Sequence, residues 1–356
     1  MKLFAILFLC FISNTKSQQF QQPSCINPSG DSGRCINIFD CKPIMIILNK
    51  EVITDELKVE LRKYFCGFDG ATIKVCCPNK EIFSKSDDAE NLLPIDDCGE
   101  AVSVARITSG EKAELLEFPW QAALKYVSLK TIPYSCGGTL INKRYVLTAA
   151  HCIKPTLIGV RLGEYDFLTP TDCIKIRNST ICAPPPQDFD ITRSDVTVHS
   201  QYKTAITGYD IALIRLPRDA VFNDAVKPIC LPINKDHTPD DLRNMLVVGW
   251  GRTEYEKFST VLLKVSIPYQ ENDVCNRILP VRIQANQFCA GEIDGRDSCS
   301  GDSGGPIMTA VNVDGRLKTV QIGLVSYGPQ RCGKDFPGVY TRLSSYTKWI
   351  LDNIKS

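Results

Sequence analysis

Histidine is scarce in this chain, with three in 356 residues, and neither sign of charge is in excess: 41 Lys and Arg stand against 40 Asp and Glu. The balance removes the basic surplus that nucleic-acid binding normally displays. Long apolar runs are missing as well. Past residue 12, nothing approaches the roughly 20 apolar residues needed to span a bilayer. The apolar run at the start, Leu3 to Ile12, is half that length; it follows Met1 and Lys2 and gives way to Ser13, Asn14, Thr15, Lys16 and Ser17. A basic start, a short apolar centre and a polar exit make a secretory signal of residues 1–17, so a soluble extracellular product with no membrane partner is expected.

Cysteine, by contrast, is abundant. Of the 17, Cys10 lies in the signal, leaving 16, an even set suited to an oxidising compartment. Rare histidine and mostly isolated cysteines disfavour zinc, while spacing alone leaves the disulfide pairing open. Cys25, Cys35, Cys41, Cys66, Cys76 and Cys77 crowd together, as in small modules whose core is too poor to hold itself, where each bridge is worth about 2–5 kcal/mol. Between them lie an apolar segment, "IMIIL" (44–48), and "DELKVELRKYF" (55–65), which reads as a helix with Leu57, Val59, Leu61 and Phe65 apolar. Residues 79–97 have linker composition and predict a flexible tether.

After Arg106 the texture changes to short apolar runs punctuated by Gly and Pro: "YVLTAA", "DIALIRL", "LVVGWG", "TVQIGLVSYG" and "PGVYTRL". These predict antiparallel β structure, a barrel or sandwich pair. The tail "SSYTKWILDNIKS" reads as a closing amphipathic helix.

Three strings in this region hold the residue types of nucleophilic catalysis: His151 in "LTAAHC", Asp210 heading "DIALIRL" and Ser303 in "GDSGGP". A serine hydroxyl is a weak nucleophile until a histidine takes its proton, and the histidine needs a carboxylate to fix its tautomer. Each string alone is commonplace. Together, in the order His, Asp, Ser, and with "SCGGTLI", "GWG", "DSCSGDSGGP", "GLVSYG" and "PGVYTR" in sequence, residues 107–356 resemble the trypsin and chymotrypsin family of serine proteases. The resemblance implies an all-β, chymotrypsin-like double barrel with a C-terminal helix. It makes His151, Asp210 and Ser303 a catalytic triad, with the N–H groups of Gly301 and Ser303 as the oxyanion hole. His199 and His237 lack such surroundings and are expected to be structural or exposed.

In trypsin-like members the residue six before the nucleophile, here Asp297, lies at the base of the primary pocket. A buried carboxylate without a cation is costly, so cleavage after Arg or Lys is expected, with Ser298 beside it and Gly328 and Gly338 leaving room. The family's proenzymes are cut before Ile or Val, which places the cut after Arg106. The freed amine of Ile107 would then pair with an otherwise unpaired Asp302. "RITSG" departs from the commoner "IVGG", but the ammonium and the isoleucine side chain carry the switch.

The six-cysteine module (25–77) resembles the clip domain of arthropod extracellular proteases, with 78–106 as linker and activation segment. The resemblance implies the pairs Cys25–Cys76, Cys35–Cys66, Cys41–Cys77, Cys98–Cys230, Cys136–Cys152, Cys173–Cys182, Cys275–Cys289 and Cys299–Cys332. It implies no organic cofactor, but a calcium loop in "GEYDFLTPTDC" with donors at Glu164, Asp166, Thr169 and Asp172. Asn178 in "NST" is a glycosylation sequon. Implied partners are an upstream trypsin-like activator, a protein substrate such as prophenoloxidase or a Spätzle-like cytokine precursor, and a serpin, all in a haemolymph-like fluid. The alternatives are a non-catalytic clip-domain binding cofactor, which lacks the serine present here as Ser303, and a digestive trypsin, disfavoured by the disulfide-rich prodomain.

Overall fold

In "SGRCIN" Gly33 and Cys35 are buried while Ser32 and Arg34 face out, the period-two pattern of a strand with one covered face. The computed structural model describes residues 24–28, 32–41, 44, 45, 48, 59, 61–69, 72–78, 92–94, 97–100, 111–129, 132–176, 179–233, 237, 239, 242–252, 258–279, 281–292, 301–313, 315–329 and 336–356. The chain divides into two units, Met1–Ser84 and Lys85–Ser356. Among the described residues no helix is long and apolar enough to cross a membrane.

In the first unit β1 (Ser24–Ile26), β2 (Ser32–Asn37), β3 (Phe65–Asp69) and β4 (Thr72–Pro78) form an antiparallel sheet in the order β1-β2-β4-β3. Its described core is small: Cys41, Ile44, Tyr64, Val75 and Cys77. Three disulfides compensate, Cys25–Cys76, Cys35–Cys66 and Cys41–Cys77. Of the expected helix, Val59, Leu61 and Arg62 are helical, but Phe65 opens β3 and is 48% exposed. Pairing with Val75, and the bridge from Cys66 to Cys35, draw that end of the segment into the sheet. Leu57 lies outside the described residues.

The second unit contains β5 (Glu111–Lys112), β6 (Gln121–Tyr126), β7 (Tyr134–Asn142), β8 (Tyr145–Thr148), β9 (Leu157–Leu162), β10 (Cys173–Ile176), β11 (Ser179–Cys182), β12 (Gln187–Asp190), β13 (Val196–Val198) and β14 (Ala212–Arg215). After these come β15 (Met245–Gly249), β16 (Leu263–Ile267), β17 (Tyr269–Gln270), α1 (Asn272–Ile278), β18 (Gln287–Ala290), β19 (Pro306–Val313), β20 (Arg316–Tyr327), β21 (Gly338–Arg342) and α2 (Thr347–Asn353). They make two curled sheets, one of seven strands in the order β12-β9-β6-β7-β8-β14-β13, the other of eight in the order β17-β18-β21-β20-β19-β15-β16-β5. Every expected apolar run after Arg106 contributes a strand. β10 and β11 stand apart as a hairpin whose ends are joined by Cys173–Cys182. The first sheet curls around Trp120, Leu124, Leu140, Leu147, Leu162, Phe189 and Leu213; the second around Met245, Val247, Ile267, Phe288, Ile307 and Tyr340.

The predicted C-terminal helix is α2, and its spacing shows why it forms. Tyr346, Ile350 and Ile354 recur every four residues and are buried in the core of the first sheet, so a helix that follows the last strand of the second sheet closes the other half. The expected tether also ends docked: Leu93 is buried, and Leu92 O accepts from Asn142 Nδ2 at 3.0 Å. Two adjacent leucines are too apolar to stay in water, and Cys98–Cys230 fixes the chain just beyond them.

At the start of the protease unit, β5 lies along β16, with Glu111 opposite Lys264 and Lys112 opposite Leu263. A few residues on, Glu117 receives Lys264 Nζ on both carboxylate oxygens, at 2.8 and 2.9 Å, with both side chains buried. Glu117 Oε2 also caps the N–H of Glu114 at 2.7 Å. Two desolvated charges with this many hydrogen bonds form a fixed anchor; removing either would strand the other in the interior.

Candidate active site

Neighbouring strands bring the first two candidate residues together. β8 ends at Thr148, β14 begins at Ala212, and the antiparallel register sets these residues opposite each other. His151, three residues past the one, and Asp210, two before the other, therefore leave the same edge of the sheet. His151 sits in a 3-10 turn (Ala150–Cys152) tied back to β7 by Cys136–Cys152. Its Nδ1 lies 2.8 Å from Asp210 Oδ2, and its backbone N–H donates to Asp210 Oδ1 at 2.9 Å. Asp210 is fully buried, while the His151 side chain keeps 25% of its surface exposed. A buried carboxylate demands donors. A third comes from Ser326 of β20, whose Oγ donates to Asp210 Oδ2 at 2.6 Å. So held, the carboxylate keeps the imidazole proton on Nδ1 and leaves Nε2 as the acceptor.

Ser303 arrives from the second sheet, just before β19. Asp302 O accepts the N–H of Gly305 at 2.8 Å, and Gly304 takes φ +76° at the third position, as a type II turn requires. The N–H of Gly137 on β7 donates to Ser303 O at 2.8 Å. The serine turn is thereby fastened to the strand that also carries the disulfide to Cys152. Gly301 has φ +109°, and a Cβ there would come within 2.8 Å of Gly251 Cα and 2.9 Å of Phe258 Cε1. No other residue fits that corner.

Asp302 departs from expectation. It is half-buried, its Oδ1 accepts the N–H of Gly251 at 2.9 Å, and its carboxylate packs on Gly249. In the uncut chain it is not unpaired; the two glycines of "GWG" give its carboxylate a backbone donor and close approach. Gly328 and Gly338 face each other, since a Cβ on the former would stand 3.6 Å from Cα of the latter. Arg106, Ile107, Asn178, Asp297, Ser298 and the pair Cys299 and Cys332 lie outside the described residues. The remaining bridge is Cys275–Cys289, from α1 to β18. His237 is buried, and His199 stacks on Tyr209. Among the described residues, the two places where histidine and cysteines gather, Cys98 with Cys230 and His237, and Cys136 with Cys152 and His151, hold their cysteines as disulfides and retain no thiolate for a metal.

The four oxygen donors of "GEYDFLTPTDC" are all engaged in hydrogen bonds. Glu164 Oε1 accepts the N–H of Tyr165 at 2.9 Å, and Oε2 accepts Arg161 Nη1 at 3.0 Å. Asp166 Oδ1 takes the N–H of Leu168, Asp172 Oδ2 takes the N–H of Asp166, and Thr169 Oγ1 donates to Asp172 Oδ1. The carboxylates of Glu164, Asp166 and Asp172 do not gather within 4.8 Å of one another. Arg161 is itself clamped by Asp188, with Nε and Nη2 donating at 2.8 and 2.6 Å, and lies over the Tyr134 ring. Its hydrogen bonds hold Asp188 below the usual carboxylate range, while burial pushes Glu164 upward against the pull of the same guanidinium. Arg161, on β9, engages Glu164 directly, and the loop's carboxylates do not converge as a calcium cage would.

Sequence reasoning did not single out Ser326, Thr341 or Arg161. Ser326 stands in "GLVSYG", a string that carries the family resemblance without marking a role for its serine. Thr341 Oγ1 donates to Asp210 O at 2.9 Å from β21. Both sit on strands of the second sheet, so only the folded register reveals that they meet the aspartate.

Residues 107–350 match the family described as Trypsin, and residues 25–77 match the Regulatory CLIP domain of proteinases. The chain is 35% identical to "Serine protease ea" of Drosophila melanogaster, over 98% of both proteins. It is 36% identical to "Phenoloxidase-activating factor 3" of Holotrichia diomphalia, over 94% of both. Among solved structures, the Drosophila Grass clip serine protease of the Toll pathway superposes with a TM-score of 0.67 at 33% identity, covering 93% of this chain and 96% of that one. Two family matches in tandem, and relatives alike over nearly their whole length, make this chain a member of the clip-domain serine proteases of the trypsin family.

Proposed function

We propose that the chain is a secreted zymogen which, cut after Arg106, hydrolyses peptide bonds after Arg or Lys in a protein of an extracellular cascade. The observation that carries this reading is the buried Asp210 carboxylate held at 2.8 Å from His151 Nδ1 by three donors. In the proposed mechanism Ser303 Oγ attacks the scissile carbonyl while His151 Nε2 takes its proton and passes it to the leaving amine. Asp210 stays ionised and stabilises the imidazolium. The N–H groups of Gly301 and Ser303 hold the oxyanion, each worth roughly 3–4 kcal/mol of barrier lowering. Water then hydrolyses the acyl-enzyme by the same route. Trypsin-like serine proteases need no organic cofactor.

Asp297 would bind the substrate guanidinium bidentately, which favours Arg over Lys. A cut after Arg106 requires an activator of the same preference, so the upstream partner is a trypsin-like protease. The relatives named for phenoloxidase activation and for the Toll pathway support a substrate such as prophenoloxidase or a Spätzle-like precursor, with a serpin as inhibitor. The deciding experiment cuts the purified proenzyme at Arg106 and offers Arg, Lys and Phe esters. Arg and Lys esters should be turned over and the Phe ester left; equal use of all three would refute the pocket assignment.

Because Glu164, Asp166, Thr169 and Asp172 already spend their oxygens on hydrogen bonds, calcium is expected to add no measurable stability. An occupied site at a hundred times its Kd would add about 2.7 kcal/mol, a shift of several degrees in Tm. Melting curves in EDTA and in millimolar calcium should instead coincide within about 1 °C. A calcium-dependent rise of several degrees would show that the loop rearranges to take the ion.

A further inference from the structure

The residue before Asp210 holds an unfavourable backbone conformation. Tyr209 has φ +59°, directly after Gly208 at φ +83°; glycine takes the left-handed region freely, but a tyrosine there is uncommon and costs about 1 kcal/mol or more. The kink turns the chain so that Asp210 points inward, with the N–H of Ile211 closing back onto Tyr209 O at 2.9 Å. On the carbonyl side Asp210 is held by Thr341. On the amide side the N–H of Tyr209 donates at 3.0 Å to the phenol oxygen of Tyr346, which also accepts Asn286 Nδ2 at 2.7 Å. Tyr346 is 3% exposed, its backbone carbonyl receives the N–H of Ile350, and Asn286 O accepts the N–H of Arg342 at the end of β21. Through Asn286 the phenol thus ties the loop before β14 of the first sheet to β21 of the second.

We infer that the Tyr346 hydroxyl is a positioning residue for the reaction, holding the left-handed Tyr209 so that Asp210 meets His151 in register. It touches neither substrate nor the reacting atoms. Its action runs through the part-buried backbone N–H of the strained Tyr209, which would otherwise lose its acceptor. Tyr346→Phe keeps the ring against His199 and Tyr209 and deletes only the acceptor. The inference rests on the reading of His151, Asp210 and Ser303 as a triad.

The test uses the full chain cut at Arg106, assayed on a peptidyl-Arg anilide, with rates expressed per Ser303 labelled by a phosphonofluoridate. Tyr346→Phe should lower kcat per labelled site about tenfold, since small misplacements of a catalytic group cost one to two decades, with KM unchanged within about twofold. A merely structural role would reduce the number of labelled sites and leave kcat per site intact. Asn286→Ala, which removes the second bond to the phenol, should act in the same direction and less, and serves if Tyr346→Phe does not fold. Asn tolerates the left-handed region, so adding Tyr209→Asn to Tyr346→Phe should recover most of the lost kcat. Unchanged kcat per site in the Phe variant, a loss falling wholly on KM, or a double variant showing only the product of the single effects would overturn the inference. Activity persisting in Ser303→Ala would instead overturn the triad reading beneath it.

Discussion

Cut at Arg106 and carrying Ser303→Ala, the protein is expected to hydrolyse an Arg ester about 10⁶-fold more slowly than wild type. The size follows from how the triad works. The histidine and aspartate act only through the serine oxygen, so losing it removes the nucleophile and makes the proton relay idle. What remains is substrate binding and the oxyanion donors, which still give about 10³–10⁴-fold over water. The fold should not suffer, because the turn is held by backbone groups: Ser303 O accepts from Gly137, and Gly305 N–H donates to Asp302 O. Equal melting temperatures, and loss of labelling by a phosphonofluoridate, would separate lost chemistry from lost structure. Activity within tenfold of wild type would remove Ser303 from its assigned role and return the chain to the binding-cofactor reading.

Replacing Arg106 by Gln should leave a chain that a trypsin-like activator cannot switch on. The wild-type protein, once cut, should separate into two pieces on a reducing gel and run as one without reductant, since Cys98–Cys230 spans the cut. Arg106→Gln should run as one in both. Its activity should stay about 10³-fold below that of the cut enzyme, the equivalent of the 3–5 kcal/mol that a buried ion pair supplies. The proposed pair is Asp302 with the freed amine of Ile107, for which Asp302 would give up or share its bond from Gly251. A free α-amino group has a pKa of about 7.7–8.0, and pairing raises it. The active form is therefore fully supported below the free value and lost as pH climbs through the raised one. Normal activation of the Gln variant would move the switch to another bond.

The strings assigned to the proposed triad are legible because each is a run of adjacent residues doing a local job: a turn, a strand start, a serine corner. The reading reached the strands for the same reason, since apolar runs bounded by Gly and Pro have few other ways to fold. What stayed hidden was long-range. Ser326 and Thr341 approach Asp210 only through the pairing of β20 with β21, and Arg161 reaches Asp188 only because β9 and β12 are neighbours. Asp302 was expected to lack a partner, as no sequence rule indicates that Gly249 and Gly251 leave room for its carboxylate. The spacing of Phe65 suits a helix, but the disulfide at the next residue draws it into β3. Tyr209 carries no sequence signal at all, for tyrosine is a poor choice for a left-handed position.

The Glu117–Lys264 anchor also governs how far the new chain end can travel after the cut. β5 keeps its place on β16, so only residues 107–110 are released, and four extended residues reach at most about 14 Å. An amine confined to such a sphere is present at an effective concentration on the order of 0.1 M. On the proposed switch, the site around Asp302 could therefore remain a poor binder of amines at large, deaf to the millimolar solutes of a body fluid, and still fill promptly with its own chain end.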